Sequence, residues 1–321
     1  MFGDFFVFLP PIMLLNIVFI IVGVILVLWG ADRMTDGAVA LAQRMNVPQI
    51  VIGLTIVAMG TSAPELFVSF VSALKGTPDL AIGNVVGSNI FNTMLIVGVA
   101  AMVAPMAILK STVKKDMPFA VLASVMLAML TLDHDISRVD AAILFVLFIG
   151  FMIYTLRVAK EGDQADDDEP KDYGVLKSVC FIALGLACLI GGSNLFVEAA
   201  SRVAVELGVS DAVVGLTVVA GGTSLPELAT SVVAARKGRS AIAIGNVIGS
   251  NVFNVLMILG ITGIVCPMQM QGITIVDLSV MLGSIVLLWF FTYTKFKVER
   301  WEGAVLTILF LAYMTWLVVN A

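Results

Sequence analysis

Apolar residues along this chain are grouped into long stretches, and short polar segments separate one stretch from the next. A helix needs about 20 predominantly apolar residues to cross the hydrocarbon core of a bilayer. Stretches near that length fall at 12–31, 49–74, 79–104, 117–132, 139–157, 176–199, 211–235, 240–265, 274–293 and 301–319. The fourth is short and could begin earlier. The pattern predicts an all-α integral membrane protein with ten transmembrane helices, embedded in a lipid bilayer.

Composition agrees with this prediction. Of the 321 residues, 60% are hydrophobic and 13% are charged, whereas soluble domains carry about 25% charged residues. The three cysteines show no CxxC spacing and lie in or beside apolar stretches, so we expect them to pack as small hydrophobic side chains. Nothing in the sequence indicates a resident cofactor, a nucleic-acid partner or an obligate protein partner.

Basic residues are distributed unevenly between the segments that connect the predicted helices. If the N-terminus is placed outside, 15 of the 18 lysines and arginines fall on the cytoplasmic side. Only Lys75, Arg138 and Arg202 remain outside. Because cytoplasmic loops of membrane proteins are enriched in these residues, we predict a multi-pass protein of the cell (inner or plasma) membrane with both termini extracytoplasmic.

Two segments of the chain recur at a constant offset of 162 residues. Residues 53–69 (GLTIVAMGTSAPELFVS) match 215–231 (GLTVVAGGTSLPELATS), and 83–92 (GNVVGSNIFN) match 245–254 (GNVIGSNVFN). Of these 27 paired positions, 20 are identical. Each copy contains five predicted helices, an odd number, so the second copy must enter the membrane in the opposite sense.

The chain is therefore predicted to consist of a first five-helix repeat (1–157), an acidic cytoplasmic linker (158–174) and a second, inverted five-helix repeat (175–321). Inverted repeats place substrate sites near the bilayer midplane, where the halves meet. A duplicated bundle kept for packing alone is the alternative, and the spacing Gly83-x-x-x-Gly87 suits close helix packing. Packing alone does not account for the acids within the repeats.

Each repeat has one glutamate directly after a proline, Glu65 after Pro64 and Glu227 after Pro226. Proline lacks the amide proton that would bond the carbonyl four residues earlier, so it kinks or breaks the helix. Ser62 and Glu65 could then form a capping box for the helix that follows. Both glutamates are expected near mid-membrane, where a charged group costs at least about 2.5 kcal/mol and usually marks an ion pathway.

The second motif adds oxygen ligands. Ser88 and Asn92 are four residues apart and so share a helix face, as do Ser250 and Asn254. Carboxylates, hydroxyls and amide oxygens suit Ca²⁺ and Na⁺, whereas Zn²⁺ or copper would favour nitrogen or sulfur. The asparagines could instead serve only as hydrogen-bonding contacts between helices.

The two pairs of motifs, GTSAPE with GNVVGSNIFN and GTSLPE with GNVIGSNVFN, resemble the alpha-repeats of the calcium/cation antiporter superfamily, and more narrowly the sodium/calcium exchangers of prokaryotic type. The resemblance covers essentially the whole chain. It implies a secondary active antiporter, not an enzyme, that exchanges Ca²⁺ for Na⁺ by alternating access, with these ions as its substrates. It also implies that the first and sixth helices slide against the rest of the protein.

By motif position, the resemblance makes Glu65 and Glu227 the central shared ligands. The implied remaining ligands are the backbone carbonyls of Thr61, Thr223, Ala58 and Ala220, the hydroxyls of Ser62, Ser224, Ser88 and Ser250, and the amides of Asn92 and Asn254.

Other functions stay open at this point. Potassium-dependent members of the superfamily carry Asp at the position of Asn254, and proton-coupled members have an acid shortly after the GN pair, which is absent here. Both departures favour sodium coupling, with Ca²⁺/H⁺ or K⁺-dependent exchange as alternatives. An intramembrane hydrolase would need a base near Ser62 or Ser224, and the only histidine, His134, lies in a predicted external loop. A channel would fit an inverted repeat less well.

Overall fold

A computed structural model describes residues 11–161, 173–208 and 220–320. Helices account for most of this part of the chain. They are α1 (Pro11–Met45), α2 (Gln49–Thr61), α3 (Ala63–Leu74), α4 (Pro78–Val103), α5 (Met117–Leu130), α6 (Arg138–Glu161), α7 (Val175–Glu206), α8 (Ala220–Thr223), α9 (Leu225–Arg236), α10 (Ser240–Val265), α11 (Ile275–Lys295) and α12 (Arg300–Asn320). Wider π-helical turns occur at Gly53–Val57, Phe91–Ile96, Thr112–Asp116 and Phe253–Ile258. Four strands of two residues join loops: β1 (Met106–Ala107), β2 (Asp135–Ile136), β3 (Met268–Gln269) and β4 (Lys297–Val298).

The fold is that of an all-helical membrane protein. Among the described residues, seven helices are long and apolar enough to cross a bilayer, or eight if the bent pair α2–α3 forms one span. Large apolar side chains are exposed on the outside of these helices; Phe67 is 70% and Leu176 is 78% exposed. An apolar surface of this extent is what contact with lipid requires.

Three predicted boundaries differ from those in the structure. The first and sixth helices were expected at 12–31 and 176–199, but α1 continues to Met45 and α7 to Glu206. Hydropathy underestimates α1 because its last turns carry charged residues and are nevertheless buried by neighbouring helices. The fourth helix begins earlier than 117, with a π-helical turn at Thr112–Asp116. The start of the seventh predicted helix, at 211–219, lies outside the described residues.

Helices α1 and α7 pack antiparallel along most of their length, with their backbones in close approach. A Cβ placed on Gly30 would lie 2.6 Å from the Gly185 carbonyl oxygen, and one placed on Gly23 would lie 2.8 Å from that of Gly192. Glycine is needed at these positions because any side chain would separate the two helices.

Many contacts occur in pairs that the offset of 162 residues relates. Gly23 approaches Gly192, and the equivalent residues, Gly185 and Gly30, approach each other. The strand pairs behave in the same way. Met106 pairs with Val298, and the equivalent residues Met268 and Ile136 also pair. Each contact thus joins one copy of the repeat to the other.

The connecting segments gather into two groups at opposite ends of the helices. One group contains the β1–β4 pair, the ion pair of Asp36 with Arg239, and the hydrogen bond from Arg44 to the Tyr173 carbonyl. The other contains the β2–β3 pair and the hydrogen bonds that Asp79 accepts from the Gln271 and Gly272 amides. If successive loops alternate between the two ends of the helices, these are the two groups that result.

Candidate ion-binding site

Two broken helices meet at the centre of the protein. Between α2 and α3 the helix axis bends by 46° at Ser62, and Pro64 occupies the first turn of α3. Between α8 and α9 the corresponding break falls at Ser224, followed by Pro226. Glu65 and Glu227 therefore lie in the first turns of α3 and α9, at helix ends whose partial positive charge favours an anion.

The predicted capping box is wrong, because Ser62 makes no capping bond to its own helix. The Ser62 carbonyl accepts the first hydrogen bond of α3, from the Leu66 amide at 3.1 Å, but the Ser62 side chain takes no part in capping. The Ser62 hydroxyl is free to donate to Oε1 of Glu227 at 2.8 Å, and the Ser224 hydroxyl donates to Oε1 of Glu65 at 3.0 Å. Each copy thus supplies the hydroxyl that orients the carboxylate of the other.

Both carboxylates are buried, each residue being 1% exposed, and they lie close enough to interact electrostatically. Their second oxygens, Oε2 of Glu65 and Oε2 of Glu227, have no hydrogen-bond partner. Among the described residues, no lysine or arginine forms an ion pair with either. A buried carboxylate without a counter-charge is strongly unfavourable, so each of these groups must bind either a proton or a cation.

The second motif lies beside these carboxylates on α4 and α10. Oγ of Ser88 lies 3.3 Å from Oγ of Ser224, whose proton bonds Glu65, so the Ser88 hydroxyl is placed to donate to Ser224. The Ser250 hydroxyl donates weakly to Oε1 of Glu227 at 3.5 Å. Asn92 and Asn254 are each 1% exposed, and their Oδ1 atoms have no hydrogen-bond partner.

Both asparagines occupy the second position of a π-helical turn, Phe91–Ile96 and Phe253–Ile258. Such wide turns recur at functional sites, because they redirect a side chain from the regular helical positions.

The remaining predicted ligands are near the same centre. Thr61 is buried and its hydroxyl donates to Oδ1 of Asn246 at 3.0 Å. Thr223 is the last residue of α8, directly before the break at Ser224. The Ala58 carbonyl accepts from the Ser62 amide at 3.0 Å. Ala220 is the first residue of α8, and its side chain lies outside the described part.

Sequence reasoning missed two asparagines that support the glutamates. The Asn84 amide donates to the Glu65 carbonyl at 3.2 Å and to Ser69 Oγ at 3.0 Å. Asn246 makes the equivalent bonds to the Glu227 carbonyl at 3.3 Å and to Ser231 Oγ at 3.0 Å. Their presence in both copies of the GN pair was the available signal.

One carbonyl freed by proline has a specific partner. Pro226 cannot donate to the Gly222 carbonyl, and the Ser193 hydroxyl of α7 donates to it instead at 2.6 Å. The residue equivalent to Ser193 in the first copy is Ala31, which has no hydroxyl, so the two breaks are not supported alike.

The donor set consists of oxygen atoms. No group of three or more His, Cys, Asp or Glu side chains that could hold a metal occurs among the described residues. Two carboxylates with hydroxyl and amide oxygens fit a hard cation such as Ca²⁺ or Na⁺.

Comparison with known proteins gives consistent results. A family profile described as sodium/calcium exchanger protein matches residues 15–157 and 177–319, two segments that are 162 residues apart. The sodium/calcium exchanger MaX1 of Methanosarcina acetivorans is 31% identical over 340 residues, which cover 93% of this chain and 97% of that protein. Inner membrane protein YrbG of Escherichia coli is 34% identical over 321 residues, covering 95% and 98%.

Solved structures of the sodium-calcium exchanger NCX_Mj are also similar. The form soaked with zero Na⁺ and Ca²⁺ aligns with a TM-score of 0.84 at 31% identity, covering 95% of this chain and 99% of that one. The form soaked with 2.5 mM Na⁺ and 0.1 mM Ca²⁺ aligns with a TM-score of 0.82.

Proposed function

The chain belongs to the sodium/calcium exchanger family of cation antiporters, which are transporters and not enzymes, and from this premise we propose that it exchanges Ca²⁺ for Na⁺ by alternating access. The ions are its substrates, and they bind at one midplane site that two inverted five-helix repeats share. The first repeat is 1–157, the second is 175–321, and the acidic segment 158–174 connects them in the cytoplasm. Together they form ten transmembrane helices.

The observation that carries this proposal is a set of four buried oxygens without hydrogen-bond partners. They belong to two residue pairs that the offset of 162 relates, Glu65 with Glu227 and Asn92 with Asn254. Oxygens of this kind are costly to bury unless a cation takes the place of the missing donors. The two carboxylates together neutralise one divalent ion, and the neighbouring hydroxyls and carbonyls serve ions bound on either side.

The inverted repeat supports alternating access. The paired glycine contacts, strand pairs and serine–glutamate bonds each link one copy to the other, so a displacement that opens the site toward one side has a symmetry-related counterpart toward the other. Sodium is the proposed coupling ion because this chain lacks the acid that follows the GN pair in proton-coupled members of the superfamily.

The direct test is ⁴⁵Ca²⁺ uptake by proteoliposomes loaded with Na⁺, with K⁺, or at low internal pH. We expect uptake when Na⁺ is inside and only background uptake with K⁺ or protons. Equal uptake driven by a proton gradient without Na⁺ would refute sodium coupling.

The site is tested by Glu65→Gln and Glu227→Gln. Each removes a charge that the ion needs, so exchange should disappear while the purified protein still elutes as a single folded species. Glu198→Gln is the control, because Glu198 pairs with Arg202 at the surface and should retain exchange. Near-normal transport by either site variant would remove that residue from the site.

We further propose that both termini are extracytoplasmic and that the loop group containing β1 and β4 faces the cytoplasm. The test is labelling of single cysteines, introduced at exposed positions in a cysteine-free background, with a membrane-impermeant maleimide. Asp133→Cys, next to β2, should react in intact cells, whereas Lys110→Cys, near β1, should react only after permeabilisation. The reverse result would invert the topology.

A further inference from the structure

Asn92 and Asn254 present oxygen to the centre of the protein only if their side-chain amides are held in one of two possible orientations. An asparagine amide can rotate by 180° and exchange its acceptor oxygen for its donor nitrogen. Resting on the proposed function, we propose that Asn89, Asn251 and Thr93 are positioning residues that fix these two amides with their oxygens toward the transported ion.

The orientation of Asn254 follows from a backbone carbonyl. Nδ2 of Asn89 donates to the carbonyl oxygen of Asn251 at 3.4 Å, and a carbonyl can only accept. Oδ1 of Asn89 must then point the other way, where it accepts from Nδ2 of Asn254 at 3.2 Å. Asn254 therefore directs its nitrogen to Asn89, and its Oδ1 is left without a partner.

The orientation of Asn92 depends on a hydroxyl. Nδ2 of Asn251 donates to Oγ1 of Thr93 at 2.8 Å, so Oδ1 of Asn251 accepts from Nδ2 of Asn92 at 3.2 Å. Oδ1 of Asn92 is again left without a partner. All four asparagines and Thr93 are buried, at most 5% exposed, so water does not compete for these bonds.

The two halves differ in how firmly they fix the amide. The residue equivalent to Thr93 in the second copy is Val255, which cannot accept a hydrogen bond. Thr93 is thus the hydrogen-bond partner that holds Asn251, and through it Asn92, against free rotation. Because a hydroxyl can also donate, the cation, which accepts only oxygen ligands, selects the orientation with Oδ1 of Asn92 toward it. If Asn251 reversed, Asn92 would turn its amide hydrogens toward the cation and repel it.

The test is Thr93→Val, which keeps the shape of the side chain and removes its acceptor. The apparent KM for Ca²⁺ in Na⁺-driven ⁴⁵Ca²⁺ uptake should rise about tenfold, while the maximal rate changes little, because the helices and the two glutamates are unaltered. Thr93→Ser keeps the hydroxyl and should restore the wild-type KM. The matched control is Thr262→Val, since the Thr262 hydroxyl is equally buried but has no hydrogen-bond partner.

A wild-type KM in a folded Thr93→Val protein would overturn the inference, as would an equal rise in Thr262→Val. If Thr93→Val does not fold, Asn89→Leu removes the acceptor for Asn254 and should raise the KM in the same way; an unchanged KM there would also refute it.

The failure of the proposed function itself looks different. In that case wild-type protein would show no Na⁺-driven uptake. The positioning role would then be tested by Ca²⁺ binding alone, measured as the increase in the thermal unfolding temperature when Ca²⁺ is added. We expect a smaller increase for Thr93→Val than for wild type, and equal increases would contradict the positioning role.

Discussion

Replacing Asp36 with asparagine should destabilise the protein by about 3–5 kcal/mol, the usual cost of removing one partner from a buried ion pair. Asp36 lies on α1, and its Oδ1 is 2.7 Å from Nη1 of Arg239 and 3.0 Å from Nζ of Lys237, both in the turn between α9 and α10. The side chains of Asp36 and Arg239 are each only 8% exposed. Without the carboxylate, a buried guanidinium would lose its charged partner.

The repeat supplies a matched control. Glu198 is equivalent to Asp36, but its side chain is 65% exposed and it pairs with Arg202 one turn away on its own helix. Such an exposed pair contributes about 0.2–1 kcal/mol. Glu198→Gln should therefore change stability several-fold less than Asp36→Asn, although the two substitutions remove the same charge at equivalent positions.

The assay is unfolding of the purified protein in detergent, followed by circular dichroism. The double variant Asp36→Leu with Arg239→Met removes both charges and should recover most of the lost stability, because a buried pair can be replaced by apolar side chains at little cost. The reasoning is refuted if Asp36→Asn is no more destabilising than Glu198→Gln. It is also refuted if the double variant is as unstable as the single one.

Two further predictions concern helix packing and pH. Gly30→Ala would place a Cβ 2.6 Å from the Gly185 carbonyl oxygen and should cost about 1–3 kcal/mol in thermal unfolding. Gly283→Ala is the control, because a Cβ placed on Gly283 meets no atom within 4 Å. It should be neutral or stabilise the protein by up to about 1 kcal/mol. Equal losses of stability in the two variants would refute close packing of α1 and α7. At the loop before α12, Lys297, Trp301 and Lys295 lower the pKa of Glu299 to about 2. Because this pKa is depressed, the stabilisation from Glu299 is present above its unfolded pKa of about 4.3 and is lost as pH falls toward 2. An NMR titration that gives Glu299 a pKa near 4 would contradict this prediction.

The sequence identified the central residues of the candidate site because their signal is local and repeated. A proline followed by a glutamate inside an apolar stretch predicts a broken helix wherever the chain folds. The 46° bend at Ser62 agrees with that prediction. The second copy contains Glu227 at the equivalent position, so the signal consists of two glutamates in the same sequence context.

The partners of these residues could not be predicted in the same way. Ser62 was expected to cap its own helix, and it bonds Glu227 from the other half of the chain. Local spacing describes only residues within one or two helical turns, whereas this hydrogen bond joins residues 165 positions apart. Asn84 and Asn246 were overlooked for the same reason, since their bonds to the glutamate carbonyls exist only after two helices have packed.

The sequence by itself determined the membrane environment, the duplication and the two buried acids, because hydropathy, repetition and the cost of burying charge are properties of the chain. Only the tertiary structure decided where the two copies differ. Asp36 is buried and ion-paired where Glu198 is exposed, and Thr93 accepts a bond where Val255 cannot. Equivalent positions receive different neighbours when two similar halves pack against each other, and a side chain's energy depends on those neighbours as much as on its own chemistry.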